Sequence, residues 1–206
     1  MSVLLAIDTS IGTSVALGVD DRIHALVSAD PRGHAEVIGD MIADVFKASG
    51  ADPGRVDGVV VGIGPGPFTG LRVGIAAAKA FATGRGVPLL PLLGHEAAAF
   101  PLLREAPEAR RLRVLQDAKR RELFVTEYTG LDEQGLPVRS ADPRLLAHSD
   151  YAEEPGDLWP NSIPADGLVR LAARRLELGR GFEADRAVYL RNPDVYPAAA
   201  PKRVSV

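Results

Sequence analysis

The chain has no cysteine. That excludes disulfides, thiolate metal ligands and thiol nucleophiles, and it suits a reducing compartment. Neither sign of charge dominates: 24 Lys and Arg against 27 Asp and Glu leave a net charge of −3. Nothing global therefore draws the chain to nucleic acid, and such a contact needs a local patch or a partner. No apolar run approaches a membrane span. The opening "MSVLLAIDTS" reaches Asp8 without a basic start or a long apolar core, which makes it a poor signal peptide, and a cytoplasmic protein is expected. A G-x-S-x-G elbow is missing. The histidines form no helical metal pair, because Ile38 and Ala99 stand four residues after His34 and His95, and His24 and His148 have no evident companions. Independent catalysis has little to rest on, and no metal site is expected.

What is present is 206 residues, 46% of them hydrophobic, enough to bury a core as one large domain or two small ones. Val3 to Ile7 reads as a short apolar strand, and "TSVALGV" and "RIHALVS" alternate as the next two, with Gly12 and Asp20-Asp21 as turns. From His34 to Ser49 the period changes, and Val37, Ile38, Met41, Ile42, Val45 and Phe46 form a wide helical stripe that Gly50 ends. "VDGVVVGIG" is apolar throughout, as a central parallel strand covered on both faces would be. A further strand is expected at Pro88 to Leu92. The order strand, strand, strand, helix, strand, helix, strand matches half of an actin-like ATPase. Beyond it, "RVLQDAK" and "ELFVTEY" read as strands joined by a tight turn and "GLVRLAARRLELG" as a helix, whereas Gly130 to Gly167 signals little.

The densest local signal is "GIGPGPFTGLRVGIAAAKA", Gly62 to Ala80. A glycine-rich turn running into a helix N-terminus is a common phosphate cradle, since free N–H groups and the helix dipole both favour an anion. The spacing fits neither usual version. Pro67 stands where a dinucleotide fingerprint needs its third glycine, and Leu71-Arg72 follow Gly70 where a Walker A loop needs Lys-Ser/Thr. Pro65 and Pro67 also remove two donors. The other reading is a rigid strand-to-helix connection whose glycines permit close packing. Thr69 is the expected cap of a helix running to about Thr83, stopped by Gly84 and Gly86.

Asp8, Thr9 and Ser10, with Ser14, surround a hairpin after a buried strand, where an actin-like ATPase holds metal and phosphate; an ordinary hydrogen-bonded turn uses the same residues. Arg72, in the first turn of a helix, opposes the macrodipole and must meet a carboxylate or an external anion. Lys119, Arg120 and Arg121 form a compact basic cluster, whose default reading is a solvated face.

Five blocks, "AIDTS", "SVAL", "GPGPFTGLRVGIAAAKAFA", "QDAKRRELFVTEY" and "AVYLRNPDVYP", together resemble the TsaB (YeaZ) family, accessory proteins of bacterial tRNA threonylcarbamoyladenosine synthesis. They span nearly the whole chain in order. Pro67 departs from the usual serine, and the stretch from Tyr128 to Ala187 is shorter than the family's. The resemblance implies an α/β, actin-like (ASKHA, RNase H-like) fold of two related halves, each a mixed sheet flanked by helices. The halves are expected at 1–100 and 101–206, with the C-terminal tail packing back on the first. It implies no catalytic residues: the catalytic relative TsaD carries a His-x-x-x-His pair, and here "GHEAAA" puts Ala99 at the second position. Asp8, Thr9 and Ser10 would be a vestigial nucleotide site, with no cofactor on this chain alone and ATP or ADP only in the complex. The implied partners are TsaD directly, TsaE through the complex and tRNA indirectly, with a homodimer when the chain is alone. The stripe Val37, Met41, Val45 and the small face Gly74, Ala77, Ala78, Phe81 suit a helical partner interface, and would serve equally to cover the chain's own sheet. The alternative function is a stand-alone actin-like ATPase or metallopeptidase-like enzyme.

Overall fold

The structure is a computed structural model and describes residues 2–28, 30, 33–106 and 111–191. Its first sheet has the order β3-β2-β1-β4-β5. β1 (Leu4–Asp8), β2 (Thr13–Val19) and β3 (Arg22–Ser28) form an antiparallel meander, and β4 (Gly58–Gly62) and β5 (Leu89–Leu92) add parallel to β1. Two helices, α1 (His34–Ser49) and α2 (Phe68–Arg85), supply the crossovers. This is the expected mixed sheet, and its strands show why the sequence runs apolar at nearly every position. Leu5, Ile7, Val15, Leu17, Val59 and Val61 face α1 and α2, where Ile38, Met41, Val45, Phe46, Ala78 and Ala82 meet them. The alternate residues Leu4, Ala6, Ala16 and Val60 face the other way. With side chains alternating across the sheet, burial on both faces leaves no polar positions to alternate.

The second face is covered by α3 (Gly94–Glu105) and α4 (Ala165–Glu177). α3 packs on β6, β7 and β8 of the second sheet and against α4, and its Ala97, Ala98 and Ala99 lie in the core that both sheets share. α4 belongs to the second half of the sequence yet packs on β1 and β2 of the first sheet, so closely that a Cβ on Gly18 would lie 2.5 Å from Val169 Cγ1. The second sheet, β10-β6-β7-β8, is also mixed. β6 (Leu112–Asp117) and β7 (Glu122–Leu131) form the expected hairpin. β7 is long enough to pair at one end with β8 (Pro137–Arg139) and at the other with β9 (Arg144–Ala147), and β10 (Asp157–Leu158) joins β6 in parallel. These last three strands fall where the sequence signals little, because they have two to four residues and no room to show a period. Arg113, almost wholly buried on β6, anchors the region: its Nε and Nη2 donate to the two carboxylate oxygens of Asp157 at 2.6 and 2.7 Å, and Nη1 reaches Glu154.

Helix ends depart from expectation at α2. Thr69 lies inside the first turn and the N-cap is Pro67, which has no side chain able to cap and whose carbonyl receives the Leu71 N–H. The helix also runs through Gly84 to Arg85 before Gly86 closes it at φ 66°. The α1 terminus is as expected, with Gly50 left-handed at φ 67°. No helix among the described residues is long and apolar enough to cross a membrane.

Gly18→Ala should lower stability by about 1–3 kcal/mol through overpacking against Val169. In a double-mutant cycle by urea denaturation, Gly18→Ala and Val169→Ala should be clearly non-additive, the second substitution relieving part of the first. Additive losses would mean that α4 does not sit on Gly18 as described.

Candidate functional site

The glycine-rich loop lies directly on the β1–β2 turn. Thr9, fully buried at the end of β1, donates its hydroxyl to Gly70 O at 2.6 Å and accepts the Gly74 N–H at 2.9 Å. Those two groups are four residues apart in α2, so the hydroxyl bridges a rung of the helix ladder and ties the turn to the helix start. The contact leaves no space for side chains on the helix: a Cβ on Gly70 would be 2.5 Å from Thr9 O and one on Gly74 2.3 Å from Thr9 Oγ1. Gly62 is equally constrained, since a Cβ there would fall 1.8 Å from Asp8 Oδ2. The glycines therefore serve close approach to β1, the packing alternative of the two that the sequence left open.

Asp8 is buried beneath this contact. Its Oδ1 accepts from the Ser10 N–H at 2.7 Å and the Ser10 hydroxyl at 2.6 Å, while Oδ2 has no hydrogen-bond partner. Burial pushes the Asp8 carboxyl up from its ordinary value, against the smaller downward pull of Ser10. A nucleotide or its metal needs this turn to present free oxygens and a gap for phosphate. Here the Thr9 and Ser10 hydroxyls are both committed within the protein, and the loop packs on them. The residues as arranged do not fit that group, and no chemical step is assigned to it. Among the described residues, no group of three or more His, Asp and Glu is placed to hold a metal ion.

His95 has a different employment. Its ring is fully buried between the two sheets, with Nδ1 2.8 Å from Thr126 Oγ1 on β7 and Nε2 3.3 Å from Gln116 Oε1 on β6. Gln116 in turn donates from Nε2 to Ser10 O at 2.8 Å. That direction turns Oε1 toward the histidine, so Nε2 carries the proton and Nδ1 accepts from Thr126. A chain of hydrogen bonds thus runs from Asp8 through Ser10, Gln116 and His95 to Thr126, joining the β1–β2 turn to the second sheet. Burial lowers the His95 pKa to about 4, with Gln116 opposing. The adjacent Glu96 is also buried and reaches α4, accepting from Arg175 Nη2 at 2.6 Å; desolvation raises its pKa although Arg175 pulls it down. His34, at the start of α1, lies 2.9 Å from Thr13 Oγ1 through Nδ1, and burial lowers its pKa.

Arg72 meets no carboxylate among the described residues, contrary to one of its two expected fates. It lies 3.7 Å over the Phe68 ring and within 3.4 Å of the Tyr189 hydroxyl, and Tyr189 packs on Phe68 at 4.7 Å between centroids. The segment carrying Tyr189 follows the edge of the first sheet, with Glu183 N–H on Pro91 O and Val188 N–H on Ile63 O. Of the block Ala187 to Pro197, the residues after Arg191 lie outside the described residues.

The expected interface residues divide. Val45 and Ala78 have no exposed surface, Met41 and Gly74 are buried, and all four face the chain's own sheet or turn. Val37, Ala77 and Phe81 are half-buried, Phe81 stacking on Phe46 between the helices. The outer surface of the pair instead exposes Gly39, Ala43, Ala76 and Ala80; Ala76 and Ala80 belong to the alanine run of the post-loop helix, whose small residues suit close helix approach, though they lie outside the expected interface set. A wide stripe and an alanine-rich helix give too little contrast to say which side faces in.

Residues 28–140, more than half the chain, match the family described as "TsaD: tRNA N6-adenosine threonylcarbamoyltransferase". The chain is 34% identical to the tRNA threonylcarbamoyladenosine biosynthesis protein TsaB of Escherichia coli, over 96% of this chain and 82% of that protein. The chain belongs to the TsaB (YeaZ) family. An uncharacterized protein of Mycobacterium tuberculosis is 33% identical over 97% of the chain and 96% of its own length. The solved structure of YeaZ from Pseudomonas aeruginosa superposes with a TM-score of 0.79 at 27% identity, covering 93% of this chain and all of that one. The actin-like fold of the TsaB family is the fold described above, with two mixed sheets flanked by helices.

Two outcomes are expected from this geometry. Thr9→Val should cost about 1–3 kcal/mol in urea denaturation by leaving Gly70 O and Gly74 N without their partner, and Thr9→Ser distinctly less. For His95, the folded pKa of about 4 lies below the ordinary 6.5, so its contribution is intact above pH 6.5 and is lost as pH falls from there toward 4, where only the unfolded chain takes up the proton. The loss should total roughly 3 kcal/mol. Asp8 and Glu96, both raised by burial, act in the opposite sense, so the histidine's part is read as the difference between the wild type and His95→Gln, whose curve should lack it.

Proposed function

We propose that this chain takes part in tRNA threonylcarbamoyladenosine biosynthesis as a non-catalytic subunit that docks on a TsaD-type transferase. The observation that carries the reading is the commitment of the ancestral site: the groups that would bind nucleotide or metal in an actin-like enzyme hold the protein together instead. Thr9 ties down α2, His95 ties α3 to the second sheet, and Asp8 is sealed under the loop. What remains for function is surface. The likeness to TsaB of Escherichia coli supplies the pathway, and the match to the TsaD family suits a relative that pairs with its own fold.

The docking surface in this reading is the outer side of α1 and α2. Gly39, Ala43, Ala76 and Ala80 let a partner's helices approach within the 8–10 Å typical of packed helices, and half-buried Val37, Ala77 and Phe81 supply apolar edges. Nucleotide would bind only in the assembled complex, in which a TsaE-type ATPase acts and tRNA is held chiefly by the transferase. Alone, the chain would pair with itself through the same helices.

Light scattering on a sizing column, for the chain alone and mixed with the TsaD-type protein of the same organism, tests this. A species of combined mass is expected, and Ala80→Arg should weaken it at least tenfold while leaving the melting temperature of the free chain unchanged. Two unshifted peaks, or ATP turnover by the lone chain that Asp8→Ala abolishes, would overturn the reading.

A further inference from the structure

The outer side of α1 and α2 is poor in side chains that could hold a partner. Gly39, Ala43, Ala76 and Ala80 permit close approach, but each offers one methyl group or none. Affinity at protein interfaces is concentrated in a few large side chains, Trp, Tyr and Arg above all, and the residues around them serve mainly to exclude water. An anchor for this face has to stand beside the small residues.

Such a group lies at the start of α2. Phe68 occupies the first turn, and the guanidinium of Arg72 lies 3.7 Å over its ring. Tyr189 joins them with its ring centroid 4.7 Å from that of Phe68 and its hydroxyl 3.4 Å from Arg72 Nε. Arg72, Ala76 and Ala80 follow one another at four-residue spacing, so the stack continues the small face toward the start of the helix. Arg72 is exposed and Tyr189 is 39% exposed. The segment that carries Tyr189 is fixed by Val188 N–H on Ile63 O at 2.8 Å and by the pair of Asp185 with Lys79 at 2.8 Å. Beyond it, the Arg191 guanidinium donates to Ala118 O and Lys119 O at 2.9 and 3.0 Å. Binding therefore has little left to order at this point.

The charge of Arg72 says what the group would meet. α2 contains no Asp or Glu, and among the described residues only Nε of Arg72 is engaged in a hydrogen bond, with the Tyr189 hydroxyl. Near the start of a helix the macrodipole opposes a cation, so the two positive fields act together on an anion from outside. A guanidinium held flat on an aromatic ring keeps its remaining donors in one plane, the geometry that matches a carboxylate.

We propose that Phe68, Arg72 and Tyr189 anchor the docking surface, with Arg72 taking a carboxylate carried by the helix pair of the transferase and an apolar neighbour of that carboxylate covering Tyr189. The inference rests on the docking reading above and names the residues that carry its affinity. A protein carboxylate is favoured over a nucleic-acid backbone because one guanidinium suits one carboxylate, whereas repeated phosphates suit a run of cations, and the next cation of α2, Lys79, is paired with Asp185.

The test is calorimetric titration of the chain with the TsaD-type protein of the same organism, without nucleotide or RNA. Arg72→Ala and Tyr189→Ala should each weaken binding at least about 30-fold, and the double variant should lose less than the product of the two. Arg72→Lys should lose about tenfold while leaving the melting temperature of the free chain unchanged, which separates lost affinity from lost folding. Tyr189→Phe keeps the ring and should stay within about threefold of the wild type. Salt raised from about 50 to 500 mM should weaken the wild type more than Arg72→Ala. Affinities of Arg72→Ala and Arg72→Lys within about threefold of the wild type, with Ala80→Arg still disruptive, overturn the inference alone. An equal salt response in wild type and Arg72→Ala overturns it too, because no carboxylate then meets the guanidinium. So does a loss confined to self-association, which would make the stack a contact between copies of this chain, or one seen only with tRNA present, which would put a phosphate on Arg72. Failure of the wild-type chain to join the transferase at all overturns the docking reading and this one with it.

Discussion

One hydroxyl holds the turn at the end of β1 against the start of α2. Thr9 Oγ1 lies between Gly70 O and Gly74 N, and both glycines are required because a Cβ on Gly74 would strike that hydroxyl and one on Gly70 the Thr9 carbonyl. The constraint propagates in both directions. On one side it sets α2 close to the sheet, so that Ala78 and Ala82 become core. On the other it holds the β1–β2 turn where Ser10 O can receive Gln116 from the second sheet. A glycine-rich loop before a helix N-terminus ordinarily leaves its donors to a phosphate; this loop, with two prolines and Thr9 packed against it, forms a joint instead.

The joint continues through the buried histidine. His95 satisfies both ring nitrogens within the protein, and its neutral form is maintained by burial. A polar chain of this kind contributes little net stability, but once buried it tolerates few rearrangements, since each unmet partner costs about 1–3 kcal/mol. It therefore fixes how the sheets sit relative to one another more than how strongly they adhere. In the proposed docking role, a fixed relation between the helix pair and the second sheet is the property that matters.

Much of the fold was legible along the chain. The apolar runs of β1 and β4, the alternation of β2 and β3 and the helical stripe of α1 located those elements, and Gly50 and Gly86 marked helix ends, because those features depend on local geometry. β8, β9 and β10 were not legible, being too short for a pattern and held by partners distant in sequence, such as Arg113 with Asp157. The cap of α2 is not Thr69, although a threonine closing a Gly/Pro-rich loop resembles one, because the chain enters the helix at Pro67. Asp8, Thr9 and Ser10 were recognised as a cluster, but their commitment to internal partners depends on glycines more than fifty residues away.

By itself the sequence determined the kind of elements, their order and the family, and it excluded thiol chemistry and a helical histidine pair, since each of these is a property of residue identity and spacing. Only the tertiary structure decided direction. It turned Val45 and Ala78 inward and Ala76 and Ala80 outward, set His95 between Thr126 and Gln116, and held three basic residues left-handed at one tip. The physical reason is that an apolar stripe states only that a face will be covered, and which surface covers it depends on atoms that meet after the chain has closed.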